Sequence, residues 1–415
     1  MPRDSLNQGA TVQEPHEITI TGYEEARAAF RHKELRQALY DAGEVVMDQV
    51  LVNLHGDEHR SRRRLENRLF RRDTQTHYER EMFPLIVEAT LAPHLAEGQA
   101  ELVSLSHQIM MNLAAFTAGV DRPSGTPEET FHLYSYMMRF IEGATLAHYT
   151  GDRDAKRAEV AAALDSFDRE FLMPSIETRR HALAQFAAGE IAEEDLPRDV
   201  LTILLRNQDN LALPPDVVLR ETCFFLLAGA HTSATAFVRT LHNIFMLDDT
   251  NPADGALVRT DIGFLQRCVH ETVRLQPSSP VAMRWALEDI ELPGGVHLRA
   301  GDKLIIDLMA ANRDRTIFGD AADAFDPHRE LPIGIPKWGL SFGQGMHACI
   351  GQDLAAGLDP LGEDPGPDHL YGLVPVAIQA LLHAGAARVP GDPPEHDPTS
   401  DRGYWARYPV RFDAR

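Results

Sequence analysis

Hydrophobic positions change period near residue 23. His16-Glu17-Ile18-Thr19-Ile20-Thr21 alternates like a strand, and Tyr23 to His32 then turns to helical spacing. Most segments from Asp57 to Arg206 keep that spacing, so the first half is expected to be mainly helical. Pro214-Pro215-Asp216 is a helix-start signal, and from there to about Leu247 only one glycine breaks the pattern. Such a helix is roughly 50 Å long at ~1.5 Å per residue, enough to cross a whole domain. A further helix runs through Leu275. Ile290 to Leu298 then brackets Pro293-Gly294-Gly295, and Lys303 to Leu308 is strand-like, which puts a small sheet region late in the chain. Gly357 to Asp368 is rich in Gly, Pro and Asp; Leu370 to His383 returns to helix, and Pro390 to Pro398 reads as loop. The expected class is mainly α with a minor β region. With no internal repeat and no Gly/Ser tether, residues 1–415 are read as a single domain.

Charge and cysteine usage narrow the function. Lys+Arg of 40 against Asp+Glu of 62 gives a net charge of −22, which argues against general binding of nucleic acid or anionic membranes. Cys223, Cys268 and Cys349 lie far apart with no CxxC pair, so neither a disulfide framework nor a zinc ribbon is supported. The start, Met1 to Gln8, lacks the apolar core of a signal peptide, and the most hydrophobic stretch, Cys223 to Ala230, is too short to span a bilayer. A cytoplasmic location is expected.

The most informative segment runs from Ser341 to Ala355, a glycine-punctuated loop delivering Cys349 to the start of a short helix. A helix N-terminus stabilises a sulfur anion, so a lowered thiol pKa is expected; the bland alternative for a lone cysteine is a small buried hydrophobe. Phe342, Gly343, Gly345, His347, Cys349 and Gly351 fill the pattern Phe-Gly-x-Gly-x-His-x-Cys-x-Gly, which resembles the haem-ligating signature of the cytochrome P-450 superfamily. The resemblance implies the cytochrome P-450 fold, with haem b (iron protoporphyrin IX) between the long central distal helix and the proximal cysteine-loop helix. It also implies that Cys349 is the axial iron ligand, favouring O–O cleavage, and that Phe342 shields the bond.

Three further segments carry the same resemblance. Glu271-Thr272-Val273-Arg274 matches the family's Glu-x-x-Arg helix motif, and Phe325-Asp326-Pro327-His328-Arg329 looks like its meander, implying a structural triad of Glu271, Arg274 and Arg329. Read alone, Glu271 and Arg274 are an i,i+3 surface pair worth a few tenths of a kcal/mol. His59 and Arg63, spaced i,i+4, together with Arg284 and His347, match residues that hold the haem propionates. Residues 60–72 contain seven arginines, read either as solvated decoration or as a basic face for an acidic electron donor. Ala228-Gly229-Ala230-His231-Thr232 resembles the distal Ala-Gly-x-(acid)-Thr motif, in which small residues make room for oxygen and Thr232 organises proton delivery. His231 departs from the usual acid and resembles the His-Thr variant of the sterol-demethylase branch; it either relays protons or forms a salt bridge to a neighbouring helix. A second departure is Gly357 to Gly362, which should stop the post-cysteine helix after about two turns and remodel the proximal face.

The chain is accordingly read as a bacterial-type haem-thiolate monooxygenase. It would insert one atom of O2 into a small apolar organic substrate, with electrons from a separate ferredoxin or flavodoxin and its reductase and no fused reductase domain. Arg36 to Leu54, Phe224 to Thr235, Ser278 to Ala282 and Thr399 to Tyr404 are the expected pocket borders, with Phe224, Ala228, Val281 and Ala282 as lining. Competing readings are haem-thiolate chemistry without oxygenation (aryl coupling, rearrangement or gas sensing), a Gly-x-Ser-x-Gly hydrolase using Ser341, and an inverzincin-like zinc site at His55 and His59. The last is disfavoured because Asp57 looks like the helix N-cap, which leaves His55 off the helix.

Overall fold

The structure, a computed structural model, describes residues 16–146, 149–359, 366–398 and 403–413. The expectation for Met1 to Gln8 therefore lies outside the described residues, as does most of the Thr399 to Tyr404 border. No helix among the described residues is long and apolar enough to cross a membrane.

Strand β1 (Glu17–Ile20), helix α1 (Tyr23–Arg31) and strand β2 (Leu35–Gln37) open the chain. Helix α2 (Gly56–Glu66), α3 (Phe83–Glu97), strand β3 (Gln99–Glu101), α4 (Leu102–Ala118), α5 (Pro127–Ala144), α6 (Arg153–Phe167) and α7 (Met173–Ala187) follow. They lead to α8 (Pro215–Thr250), a 36-residue rod of about 54 Å. Pro215 suits its first turn because the missing N–H is one that no intrahelical acceptor would use. Leu226, Phe237, Leu241 and Ile244 of α8 are buried in one core with Leu105, Ile109 and Leu113 of α4 and with Met137 and Phe140 of α5. Helices α9 (Ile262–Leu275), α10 (Gln352–Ala356) and α11 (Leu373–His383) complete the helical body.

Beside it lies a second core around a four-stranded sheet containing β4 (Val281–Ala286) and β7 (Lys303–Asp307), in the order β1-β7-β4-β2. The hairpin of β5 (Ile290–Leu292) and β6 (Val296–Leu298) turns through Pro293-Gly294-Gly295. The register of β2 on β4 sets Gln37 opposite Arg284, so strand pairing fixes where that arginine emerges.

Three local expectations need correction. The strand expected at residues 16–21 is β1, but two further early strands went unread: β2 and β3 come from the first 101 residues, and β3 pairs with β11 (Pro409–Arg411), which also pairs with β8 (Ala387–Arg388). Strands of three residues have too few positions for a period to register. The loop at Pro390 to Pro398 contains β9 (Glu395–His396), paired with β10 (Trp405–Arg407). Asp57 is not the N-cap: α2 begins at Gly56 with His55 in the cap position, and the Asp57 carboxylate pairs with Arg60.

Glu271 and Arg274 are no surface pair. Arg274 is fully buried and uses its whole guanidinium: Nε and Nη2 donate to the Glu271 carboxylate, both at 2.7 Å, Nη1 to Asn312 O and Ala322 O, and Nη2 also to Ala324 O. Arg329 Nε donates to Glu271 Oε1 at 3.2 Å, and its Nη atoms hold the carbonyls of Phe318, Ala321 and Ala324. The three charges thus tie α9 to the 312–329 meander.

Candidate functional site

A cavity of about 350 Å³ lies between α8 and the loop before α10. Ala228, Gly229 and Thr232 form its distal wall; Phe342, Gly343, Cys349 and Gly351 form the opposite one. The cysteine loop keeps its shape through Cys349 N donating to Phe342 O at 2.8 Å and through left-handed glycines. At Gly345, φ is +70° and a Cβ would lie 2.3 Å from Phe30 O, so a side chain would both strain the backbone and push α1 away. Phe342 packs edge-on to Trp338 beneath the loop.

Cys349 lies deep in the protein yet presents its surface to this cavity, unlike Cys223 and Cys268, which are fully packed. Burial pushes its thiol pKa up, against the lowering effects of the Gly351 N–H and the Arg63 charge. The expectation of a thiol acidified by its helix is therefore corrected in direction: α10 has only five residues, and desolvation outweighs the Gly351 N–H and the Arg63 charge. A thiolate here needs a cation bonded to the sulfur.

His59 and His347 lie with ring centroids 4.5 Å apart, tilted by 58°, at the cavity rim. Burial, then neighbouring charges, lowers their pKa values to about 4 and about 3, so both are neutral near pH 7. None of their four ring nitrogens has a hydrogen-bond partner, a costly state for buried polar atoms unless a bound group supplies acceptors. Arg63 and Arg284 line the same rim. Arg63 Nη2 donates to Ala348 O at 2.7 Å; Arg284 Nη1 donates to Gln37 Oε1 at 2.6 Å and keeps its charge at neutral pH although burial lowers its pKa to about 10. Two guanidinium cations and two imidazole donors beside a cavity-facing sulfur fit a haem with two propionates.

Phe224, Val281 and Ala282 also line the cavity. At Gly229 a Cβ would meet Ala114 Cβ of α4 at 3.4 Å, an ordinary contact, so helix packing alone does not demand glycine there. Thr232 Oγ1 donates to Ala228 O at 2.6 Å, and Ser278 Oγ donates to Thr232 O. His231, like Ala230, does not line the cavity: its ring lies 6.3 Å from that of His107 on α4 and 6.2 Å from Tyr404. At about 100° per residue, His231 falls off the stripe that Ala228, Gly229 and Thr232 present to the cavity. Sequence reasoning missed Phe70, whose ring stacks with Phe225 at 6.2 Å, and Leu113, Ala114 and Thr117 from α4. Their helical apolar spacing is indistinguishable from ordinary core.

The rival sites find other uses. Ser341 Oγ donates to Val273 O and accepts from Asn312 Nδ2, both at 2.8 Å, bracing α9 against the loop. His55 sits outside α2, and among the described residues no group of three or more His, Cys, Asp or Glu side chains gathers as a metal site.

Helix α10 ends at Gly357, φ +78°, shorter than the two turns expected. Gln266 Nε2 donates to Ala356 O and Leu358 O, and His270 Nε2 donates to Ala356 O at 2.8 Å. Burial lowers the His270 pKa to about 4. A histidine with a depressed folded pKa contributes stability that is complete above its unfolded value of about 6.5 and is lost as pH falls toward 4. Accordingly, the loss of thermal midpoint between pH 6.5 and pH 4.5 should be smaller in His270→Gln than in the native chain, as measured by calorimetry.

The family model described as Cytochrome P450 matches residues 257–356. The chain is 25% identical over 350 residues to pulcherriminic acid synthase of Bacillus subtilis, covering 81% of this chain and 78% of that protein. It is 32% identical over 201 residues to nocardicin C N-oxygenase of Nocardia uniformis subsp. tsuyamanensis, covering 46% and 48%. Among solved structures, P450BioI in complex with hexadec-9Z-enoic acid ligated acyl carrier protein aligns with a TM-score of 0.72 at 20% identity over 95% of this chain and 92% of that chain, a likeness of fold.

Proposed function

We propose that the chain is a haem-thiolate monooxygenase of the cytochrome P450 superfamily that uses haem b, ligated by Cys349, to oxidise an apolar organic substrate. When bound, the haem supplies reductive activation of O2, with two electrons and two protons, one oxygen atom entering the substrate and the other leaving as water. The carrying observation is that the Cys349 sulfur and the partnerless imidazoles of His59 and His347 face one cavity.

In this reading His59, Arg63, Arg284 and His347 hold the two propionates, so buried donors and buried carboxylates satisfy one another. Gly343 and Gly351 keep the loop free of side chains at the cofactor face, and Phe342 covers the sulfur from water. Ala228 and Gly229 leave space on the distal side. Thr232 positions water and passes protons inward, with His231 behind it on the side of His107. Phe70, Phe224, Phe225, Val281 and Ala282 select an apolar substrate, because aromatic and aliphatic walls offer it contact and no compensation for a buried charge.

Residues 1–415 act as one haem unit, and electrons come from a separate ferredoxin or flavodoxin with its reductase. Of the seven arginines in residues 60–72, Arg60, Arg64, Arg68, Arg71 and Arg72 are exposed, which supports a docking face for an acidic donor on an otherwise acidic protein.

The test is the difference spectrum of the reduced protein with carbon monoxide. The red-shifted band of thiolate ligation is the expected result; a band of histidine-type ligation in fully loaded, undenatured protein would overturn the assignment. In turnover with a reduced ferredoxin, Thr232→Ala should keep consuming electrons while diverting most of them to hydrogen peroxide, read as the ratio of product to electrons consumed.

A further inference from the structure

We propose that Arg62, Glu66 and Glu221 form a buried latch that positions the Leu51–Val52 wall of the cavity against α8 and holds one shared proton in order to do so. Arg62 and Glu66 sit one turn apart on the inner side of α2, the helix whose His59 and Arg63 face the cavity. Arg62 Nε donates to Glu66 Oε1 at 3.2 Å, and its Nη2 contacts Glu221 Oε2 of α8. The Glu221 carboxylate also accepts the Leu51 N–H, with 3.0 Å to Oε2, while Arg62 Nη1 reaches Gln49 O at 3.5 Å. Leu51 and Val52 line the cavity, so three side chains connect its wall to both α2 and α8.

The cluster is almost sealed from solvent: Arg62, Glu66 and Glu221 are 4%, 1% and 0% exposed. It contains two carboxyl groups and one guanidinium. Arg63 is the one further charge acting on Glu66, and it is engaged with Ala348 O and Asn67. The 49–53 turn contributes backbone alone. On α8 the neighbouring Arg220 is turned to Asp48 and Asp216, and Glu44 and Asp48, on the segment before the turn, are exposed. Two ionised carboxylates would leave a negative charge uncompensated in a water-poor interior, so the favoured state keeps one proton, which belongs to the pair rather than to either residue. Burial pushes Glu221 up to about 7 and, with the Glu221 charge, raises Glu66 as well; Glu66 Oε2 has no hydrogen-bond partner. Loss of the proton makes hydration of the cluster favourable. The part able to yield is the 49–53 turn, where exposed Gln49 already holds a left-handed φ of +58°.

Folded-state carboxyls with raised pKa values lose their stabilising contribution as pH rises toward the folded value, so the latch should loosen through neutrality. Amide hydrogen exchange of the holoprotein, corrected for intrinsic rates, reads this in the peptide containing residues 48–54. Between the ordinary glutamate pKa and the raised folded value, protection should fall by up to about tenfold per pH unit, as release of a single proton on opening requires, and level off above it. Glu66→Gln and Glu221→Gln each leave one carboxylate for one guanidinium, and protection should then be level from pH 6 to 8. A native profile already level, or a Glu66→Gln profile sloping like the native one, overturns the proposal; the second variant keeps the test decisive if Glu221→Gln does not fold. That Leu51 and Val52 border a substrate site rests on the cavity being the oxidation site, but the exchange measurement does not. A missing thiolate band and a missing latch are therefore separate results.

Discussion

Cys349→Ala is expected to abolish the thiolate band and all product formation while leaving the fold intact. The sulfur accepts one backbone N–H and bridges no secondary-structure elements, so its removal costs little packing. Helices α2, α8 and α9 are held elsewhere. Burial raises the thiol pKa, so in the proposed ligation iron binding drives deprotonation, and haem uptake should release a proton near neutral pH. Titrating haem into weakly buffered protein with a pH indicator checks this: native protein should release about one proton more than Cys349→Ala. Far-ultraviolet circular dichroism of the variant should match that of the native chain. Full turnover by Cys349→Ala would remove the central residue from the mechanism.

The second large effect concerns Arg274. Truncation to alanine strands the Glu271 carboxylate without its main partner and leaves the carbonyls of Asn312 and Ala322 without the donors they had. Breaking a buried, fully hydrogen-bonded ion pair costs about 3–5 kcal/mol, a large share of a typical domain's stability of about 5–15 kcal/mol. Arg274→Ala should therefore lower the urea midpoint sharply and yield little soluble haem-loaded protein. Arg274→Lys should recover only part of the loss, since an ammonium cannot reproduce five donors in a planar fork. A midpoint unchanged in Arg274→Ala would show that the meander stands without the triad.

Much of the architecture was legible because its signals are long or chemically unusual. The rod at Pro215–Thr250 announces itself by more than thirty residues interrupted only by Gly229, and the Cys349 loop by its glycine and cysteine spacing. What escaped sequence reading is set by the third dimension. The strands β2 and β3 are three residues each, too short for a period, and are defined by partners far away in the chain. The arginines at 60–72 look alike in sequence, yet helix phase sends Arg62 into the core and Arg63 to the cavity while five others meet solvent. The phase of α8 likewise separates His231 from the cavity that Thr232 lines. The direction of the Cys349 shift depends on how much water is excluded, which local spacing does not encode.

The break after α10 has a use of its own. At Gly372 a Cβ would lie 2.3 Å from Gly357 N, so the chain leaves the helical body and rejoins it at nearly the same point. Leu358 N donates to Leu370 O at 2.9 Å, so the two ends are clamped together, and a change of length beyond that clamp puts no tension on either flanking helix. The break is thus a natural graft site, where a reporter peptide or a tether to an electron donor could be inserted with the Cys349 loop left in register.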